Sequence, residues 1–321
     1  MNVDPLRICV IANPVSGVNR AALDVIEDFF AAQPNLDYRM LLTQGSGDAR
    51  RFAEQAVSDG YDLVAAYGGD GTMMETADGL RGTNVPFAML PGGTANVMSI
   101  DLGIPQDLDG ALALIMNPDH EIRMVDMGCI DNQNFLLRAG IGYEADISAG
   151  AGRAEKKKRG RWAYFENALR KLGHVIPSKY VITVDGETYV QRGITCMICN
   201  SSSIGVPNLR LVQNGAVDDG LLDVIVIRNL RPDTILRTLF QIVRSIFPGN
   251  GESSGENDHW QGREVTVMMK RRQLVAVDGE PFKRSKRVSA HIIPQALAVI
   301  VPPETLTVEP ESMHEEPVVR N

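Results

Sequence analysis

The sequence predicts an α/β domain with a mostly parallel sheet, followed by a second domain of antiparallel strands folded as a β-sandwich. Two observations lead to this prediction. Up to about residue 125, short apolar runs alternate with stretches whose apolar residues recur at helical spacing, which is typical of βαβ units. Beyond that point, strand-like runs follow one another with turns between them, which is typical of an antiparallel domain.

The first domain, residues 1–125, is predicted to be Rossmann-like, with strands and helices in strict alternation. Glycine and proline mark the ends of several elements, as Gly60 does after the second helical stretch. The predicted strands are Arg7–Ala12, Asp37–Thr43, Leu63–Tyr67 and Pro86–Leu90, and the predicted helices are Ala21–Ala32, Ala49–Ser58, Met73–Leu80 and Asp107–Met116.

The second domain, residues 126–302, is predicted to be rich in strands, with an exposed Gly/Ser-rich loop at Gly249–Gly262. A last apolar run, Ala296–Val301, is expected to be a strand, and packing back on the first domain is one arrangement open to it. The acidic tail, 303–321, is expected to be disordered because it holds few large apolar residues. Further strands are expected at Phe135–Ala139, Tyr180–Val184, Ile194–Asn200, Leu222–Ile227, Glu264–Lys270 and Leu274–Val277, and helices at Trp162–Leu172 and Pro232–Ser245.

Composition narrows the class of protein. The formal net charge of −8 argues against a nucleic-acid binder. No apolar run approaches the roughly 20 residues that span a bilayer, and the first residues lack the pattern of a signal peptide. The four cysteines form no disulfide framework. We therefore expect a soluble, cytoplasmic protein.

Three glycine-rich turns follow three of the predicted parallel strands. They are Asn13–Gly17, Gly68–Thr72 and Pro91–Asn96. In an open α/β sheet, ligands bind at the carboxyl ends of the strands, where backbone N–H groups and helix N-termini attract phosphate. Any one such turn is as well explained by an ordinary connection, but the three together predict a site for a nucleotide triphosphate.

These three turns, in this order, resemble the diacylglycerol kinase catalytic-domain family, which includes bacterial soluble lipid kinases and is related to sphingosine and ceramide kinases and, more distantly, to NAD kinases. The resemblance extends to about Pro302. It implies an ATP-dependent lipid kinase that transfers the γ-phosphate to a lipid hydroxyl, with a diacylglycerol-like or sphingoid substrate. It places these residues on the nucleotide: Asn13, Pro14, Ser16, Gly17, Thr43, Gly68, Gly69, Asp70, Gly71, Thr72, Met73, Met74 and Thr94.

Asp70 is a carboxylate among phosphate-binding amides. It would repel phosphate unless a cation lay between them, so we expect Asp70 to contact a catalytic Mg²⁺ directly or through water. The resemblance gives a second pair of catalytic residues in the turn Asp278-Gly279-Glu280, with Glu280 as the proton acceptor and Asp278 as its neighbour. A plain Asp-Gly hairpin is the alternative there, and we interpret the similar Asp185-Gly186-Glu187 as such a hairpin.

A second Mg²⁺ site is implied by the resemblance. Its ligands would be the Asp219 carboxylate and the carbonyl groups of Ala216 and Leu221, since hard cations prefer oxygen ligands. The family's Gly-x-Gly-x-Asp-Ala segment is matched at Gly140–Ala145, except that Glu144 replaces the aspartate.

The partners follow from the resemblance and from charge. A basic run, Arg153–Arg161, precedes the aromatic residues of Trp162–Phe165, which suits peripheral contact with an anionic membrane surface as well as it suits a solvated helix start. The oligomeric state stays open, a homodimer being common for such chains.

Cys196 and Cys199, three apart in a predicted strand, point to opposite faces and predict no metal site.

Two alternatives stay open. An NAD kinase-like enzyme shares the Gly68–Thr72 sequence and would phosphorylate a soluble substrate. A non-catalytic nucleotide-binding regulatory protein would need no general base, and the presence of Asp70, Asp278 and Glu280 argues against it.

Overall fold

The computed structural model describes residues 5–15, 21–143, 145–146, 177–201, 203–206, 209–210, 212, 215–228 and 258–303. Among these residues no helix is long and apolar enough to cross a membrane. Several predicted features lie outside them: the helices Trp162–Leu172 and Pro232–Ser245, the basic run Arg153–Arg161, Glu144, Ser16, Gly17 and the acidic tail.

The first part of the chain folds as predicted, with parallel strands joined by helices. The central strand of this part is buried along its whole length, as expected where helices cover both faces of a parallel sheet. The elements are β1 (Leu6–Ala12), α1 (Ala21–Ala31), β2 (Leu36–Leu42), α2 (Asp48–Ser58), β3 (Leu63–Gly68), α3 (Asp70–Leu80), β4 (Phe87–Pro91), α4 (Val97–Asp101) and α5 (Leu108–Met116).

The remaining strands are antiparallel to their neighbours with one exception described below. They are β5 (Glu121–Ile130), β6 (Gln133–Phe135), β7 (Arg138–Gly142), β8 (Ser178–Val184), β9 (Glu187–Gly193), β10 (Thr195–Cys199), β11 (Ser203–Val206), β12 (Leu209–Arg210), β13 (Leu222–Ile227), β14 (Asp258–Gly262), β15 (Glu264–Val277) and β16 (Glu280–Val301).

One mixed sheet runs through the described residues in the order β14-β13-β10-β7-β15-β16-β4-β3-β1-β2. Two large apolar cores lie along it. The larger core fills the parallel part and includes Ala296–Val301 from the end of β16 except Ala298. The smaller core contains Tyr180, Val224, Val267 and their neighbours in the antiparallel part. The fold class predicted from sequence is therefore confirmed.

Strand β16 joins the two parts and is much longer than predicted. Its first half pairs with β15 and its last residues pair with β5, while Val299 pairs in parallel with Phe87 of β4. Only Ala296–Val301 is continuously apolar. The preceding residues are largely polar and charged, so apolar patterning did not identify them as a strand.

Other boundaries also differ from the predictions. The Gly249–Gly262 loop is wrong at its end, because 258–262 form β14, which pairs with β13. The predicted strand Phe135–Ala139 is interrupted after Phe135 and resumes at Arg138. Strand β5 and helix α4 were not predicted, and the two predicted strands between Glu264 and Val277 are one strand with an irregularity after Met268.

Candidate active site

The turns that follow β1 and β3 are joined by hydrogen bonds. The Asn13 backbone N–H donates to the Tyr67 carbonyl over 2.9 Å. The Asn13 side-chain amide donates to the Thr72 hydroxyl over 3.2 Å. A short polar side chain at the end of β1 therefore holds the first turn of α3, which brings the first two glycine-rich turns together.

The turn after β4 packs backbone to backbone against the turn after β3. The Gly92 N–H donates to the Gly68 carbonyl over 2.8 Å. A Cβ atom added at Gly93 would lie 2.5 Å from the Gly69 Cα, a distance that ordinary side chains do not tolerate. The close approach of the two turns thus requires glycine at position 93, whereas a Cβ atom added at Gly69 would lie 3.4 Å from the Gly93 Cα, an ordinary contact.

The other residues predicted to bind nucleotide lie around these turns. Thr43 is buried beyond β2 and its N–H donates to the Ala12 carbonyl over 2.9 Å. Pro14 and Thr94 are exposed, and Met74 is partly buried. Met73 belongs to the larger core, so its side chain supports α3 from beneath.

Asp70 begins helix α3, three residues earlier than predicted. One of its carboxylate oxygens accepts a hydrogen bond from the Val97 N–H at 2.7 Å, and the other accepts from the Asn96 N–H at 3.2 Å. Burial raises the pKa of Asp70, while these amides and the charge of Arg138 oppose the rise. Asp70 therefore satisfies the first amides of α4, an interaction that sequence analysis did not foresee.

This arrangement of Asp70 fits a divalent cation. Mg²⁺ in phosphotransfer sites is held by one or two carboxylates together with phosphate oxygens and water. Each Asp70 oxygen accepts one of these amide hydrogen bonds, which leaves it a further acceptor position. A bound cation would also offset the cost of burying this carboxylate.

The turn between β15 and β16 contains Asp278 and Gly279, both with positive φ, 45° and 77°, the values of a type I′ hairpin. Both Asp278 oxygens accept hydrogen bonds from the backbone. The donors are the N–H groups of Leu136, Leu137 and Arg138, each at 2.9 Å.

Burial raises the pKa of Asp278 to about 6, and the three amides oppose the rise. Asp278 therefore anchors the turn to the break between β6 and β7. Glu280, two residues after Asp278, begins β16 and is exposed.

Arg138 acts electrostatically on both Asp70 and Asp278 and was not predicted from the sequence. Its positive charge opposes the rise in the pKa of both Asp70 and Asp278, so it lies in the electrostatic field of each. One guanidinium nitrogen donates to the Ser203 carbonyl over 3.0 Å. The sequence feature that could have identified Arg138 is its position directly after the apolar run Phe135–Leu137, which is buried in the structure.

The loop 215–221 contains the predicted second metal site and lies close to two further carboxylates. Burial raises the pKa of Asp219, and the carboxylates of Asp223 and Asp126 raise it further, while the Leu221 and Ala216 amides lower it. Among the described residues no three acidic, histidine or cysteine side chains are grouped closely enough to hold a metal ion, so the predicted site would depend on the Asp219 carboxylate together with backbone carbonyl groups. Asp219 is the exposed member of the three, since Asp126 and Asp223 are buried.

The carboxylates of Asp126 and Asp218 hold this loop in place, and neither role was predicted from the sequence. Asp126 accepts hydrogen bonds from the N–H groups of Gly220 and Gln295, both at 2.7 Å. Arg123 makes a two-point ion pair with Asp218 at 2.7 and 2.9 Å.

The expected face separation of the cysteines is confirmed, because Cys196 and Cys199 are buried in different apolar clusters.

Comparison with known proteins finds two family matches that together cover nearly the whole chain. Residues 7–130 match the family described as the diacylglycerol kinase catalytic domain. Residues 138–301 match the YegS C-terminal NAD kinase beta sandwich-like domain.

Curated relatives agree with these matches. A probable lipid kinase YegS-like protein of Pseudomonas aeruginosa is 31% identical over 81% of this chain and 83% of its own length. A diacylglycerol kinase of Bacillus subtilis is 25% identical over 85% of this chain and 89% of its own length.

Solved structures share the fold. Two solved structures described as a diacylglycerol kinase of Bacillus anthracis superpose with TM-scores of 0.75 and 0.74 at 25% and 26% identity. Each covers 94% of this chain, and the matched regions are 97% and 99% of their own chains. The chain belongs to the diacylglycerol kinase catalytic-domain family, and it is a kinase.

Proposed function

We propose that this protein transfers the γ-phosphoryl group of Mg-ATP to the hydroxyl group of a lipid with a diacylglycerol-like or sphingoid structure. The observation that carries the proposal is the junction of the strand-end turns, in which the Asn13–Thr72 hydrogen bond and the close approach of Gly93 to Gly69 bring the turns together at one edge of the sheet. Amides and helix N-termini at such an edge attract phosphate groups.

In this proposal, phosphate binding and metal binding are assigned to separate residues. The turns after β1, β3 and β4 hold the triphosphate. Asp70 holds Mg²⁺, which when bound neutralises charge on the phosphate oxygens. Ala216, Asp219 and Leu221 hold a second, structural Mg²⁺.

Glu280 accepts the proton of the lipid hydroxyl group. The lipid oxygen forms a bond to the γ-phosphorus as the bond between that phosphorus and the ADP oxygen breaks. A positioned base of this kind contributes on the order of 10²–10⁴-fold in rate. Asp278 acts as a positioning residue, because its oxygens are held by backbone amides while Glu280 begins the next strand.

The lipid class is supported by the named relatives, which include a lipid kinase and a diacylglycerol kinase. The experiment is transfer of radiolabelled γ-phosphate from Mg-ATP to diacylglycerol, monoacylglycerol, sphingosine, ceramide and phosphatidylglycerol in mixed micelles, with NAD and a lipid-free sample beside them. Label on one lipid class supports the proposal. Label on NAD alone would replace the lipid with a soluble acceptor.

A further inference from the structure

The strands β9, β8, β15 and β16 lie side by side and present one face away from the smaller apolar core. Residues paired across adjacent strands share a face, and alternate residues along a strand lie on opposite faces. Tyr180 and Ile182 of β8 point into the core, so Lys179, Val181 and Thr183 point outward.

The strand pairing orders this outward face into rows. The first row is cationic: Lys179 lies opposite Arg192, and Lys270 is two residues beyond Met268 on the same face. The second row is apolar and ends in a cation, and its order is Val190, Val181, Met268 and Arg287. The third row consists of hydroxyl side chains, Thr188, Thr183, Thr266 and Ser289.

We call the first two rows the basic outer face, defined as Lys179, Val181, Val190, Arg192, Met268, Lys270 and Arg287. Its four cations are exposed, and two of its three apolar side chains are unusually exposed for valine and methionine, Val190 by 52% and Met268 by 46%. Four more exposed cations border it on β15 and β16: Arg271, Arg272, Arg284 and Lys286.

This concentration of charge has a cost in the isolated protein. Like charges placed opposite each other on neighbouring strands are destabilising, as Lys179 and Arg192 are here. Among the described residues, no acidic side chain makes an ion pair with these eight cations, whereas nearby Lys283 pairs with Asp131 at 2.7 Å. The chain as a whole carries a net charge of −8, so the cations are segregated here against its overall charge.

We infer that the basic outer face docks on an anionic lipid bilayer. A row of cations beside a row of exposed apolar side chains matches the anionic headgroups and the adjoining acyl boundary of such a surface. A nucleic acid or an acidic protein would use the cations but would not require Val190 and Met268 to be exposed.

The inference rests on the proposed function, because β16 carries both the docking surface and Glu280. Exposed Phe282 follows Glu280 by two residues, and the basic residues continue from Lys283 to Arg287. A bilayer held against this surface would present its lipid hydroxyl groups along the strand that leads to the proposed base.

The experiment compares vesicle binding of two variants with equal charge. The test variant is K179Q/K270Q/R287Q. The control is R39Q/R81Q/R263Q, which removes three exposed cations from β2, the end of α3 and the β14–β15 turn. Full-length proteins are sedimented with vesicles of phosphatidylcholine containing phosphatidylglycerol, and with vesicles of phosphatidylcholine alone, at two salt concentrations and without ATP.

The wild type is expected to bind the anionic vesicles, more weakly at high salt. Each cation near an anionic surface contributes on the order of 1 kcal/mol, so the test variant should bind at least about ten-fold more weakly while the control changes less than about two-fold. Thermal unfolding of both variants reports whether they remain folded, and a second test, M268S/V190S, should weaken binding without changing net charge.

The inference would be overturned if the wild type showed no preference for anionic vesicles, or if the test and control variants lost equal amounts of vesicle binding. It would also be overturned if the test variant lost binding to heparin or to an oligonucleotide but bound vesicles as the wild type does. Because no turnover is measured, an inactive protein can still satisfy this test. Failure of the kinase proposal and failure of the docking surface are therefore distinguished.

Discussion

Asp185 and Asp278 occupy the same position in two hairpins with the same sequence, Asp-Gly-Glu, and each accepts hydrogen bonds from backbone amides of a neighbouring segment. Asp185 accepts from the N–H groups of Arg263 and Glu264 at 2.8–3.0 Å. Asp278 accepts from the amides of 136–138 at 2.9 Å. Both residues have positive φ, 46° and 45°.

The two hairpins differ in what their carboxylates hold. Asp185 secures the β14–β15 turn at the surface. Asp278 secures the start of β7 at Arg138, whose positive charge lowers the pKa of both Asp70 and Asp278. The common hairpin geometry thus serves a structural purpose in one place and, in our proposal, positions a catalytic residue in the other.

Replacement of Asp278 by Ala should destabilise the protein by about 2–4 kcal/mol, because it leaves three backbone N–H groups without their acceptor. Asp278→Asn, which keeps an acceptor oxygen, should recover part of that loss. Urea unfolding of the two variants beside Asp185→Ala measures this. The Asp185 variant should lose less, since its turn is exposed. Equal losses at the two positions would contradict the anchoring role of Asp278.

Asp278 should also make stability depend on pH. Its pKa is raised from 3.8 to about 6 by burial, so the folded state holds this proton more tightly than the unfolded chain does. The resulting stabilisation is fully present below about pH 4 and is lost as the pH rises through about 6. It amounts to roughly 3 kcal/mol at most.

The measurement is urea unfolding of the wild type and of Asp278→Asn at intervals from pH 4 to pH 7. The difference in unfolding free energy between them should change across this window, with the wild type losing stability relative to the variant. A constant difference would show that Asp278 has the same pKa in both states.

Asp70→Asn should raise the Mg²⁺ concentration needed for half-maximal turnover by at least about ten-fold, because the variant lacks the negative charge that attracts the cation. The change also weakens the contact with the Asn96 and Val97 amides, so thermal unfolding without nucleotide must be measured beside the Mg²⁺ titration. A loss of stability with an unchanged Mg²⁺ requirement would leave Asp70 a purely structural role.

Gly93→Ala should weaken nucleotide binding, because the new methyl group would lie 2.5 Å from the Gly69 Cα and separate the two turns. Gly45→Ala is the matched control, since nothing lies within 4 Å of its added Cβ. Binding of a fluorescent ATP analogue should fall at least about ten-fold for Gly93→Ala and stay near the wild-type value for the control. Unchanged binding by the Gly93 variant would show that this junction does not hold the nucleotide.

The parallel part of the fold was predictable because its apolar runs are short, buried and separated by clear glycine and proline signals. Strand β16 was not, because residues such as Lys283 and Arg284 interrupt any apolar pattern while their backbone pairs with β15. Helix α4 has only five residues and its start depends on Asp70, which lies 27 positions before Val97. Contacts of that kind leave no local signal.

The site residues also divide into those that local motifs predict and those that depend on contacts with distant segments. Sequence motifs identified the turns and the carboxylates Asp70 and Asp278, but not the amides to which each carboxylate is bound. Arg138 and Asp126 were missed because their partners come from distant segments, 203 for one and 220 and 295 for the other. The roles proposed for Glu280, Asp70 and Asp219 stay predictions.

The most direct measurement of the central proposal is the rate of γ-phosphate transfer to lipid by Glu280→Gln and by Glu187→Gln, each compared with the wild type in the same mixed micelles. The two glutamates follow identical Asp-Gly turns, so Glu187→Gln controls for the loss of one negative charge in a hairpin. We predict that Glu280→Gln slows transfer by about 10²–10⁴-fold with ATP binding retained, while Glu187→Gln stays within about two-fold of the wild type. Retained transfer by Glu280→Gln, or equal losses in the two variants, would contradict the assignment of Glu280 as the base of a lipid kinase.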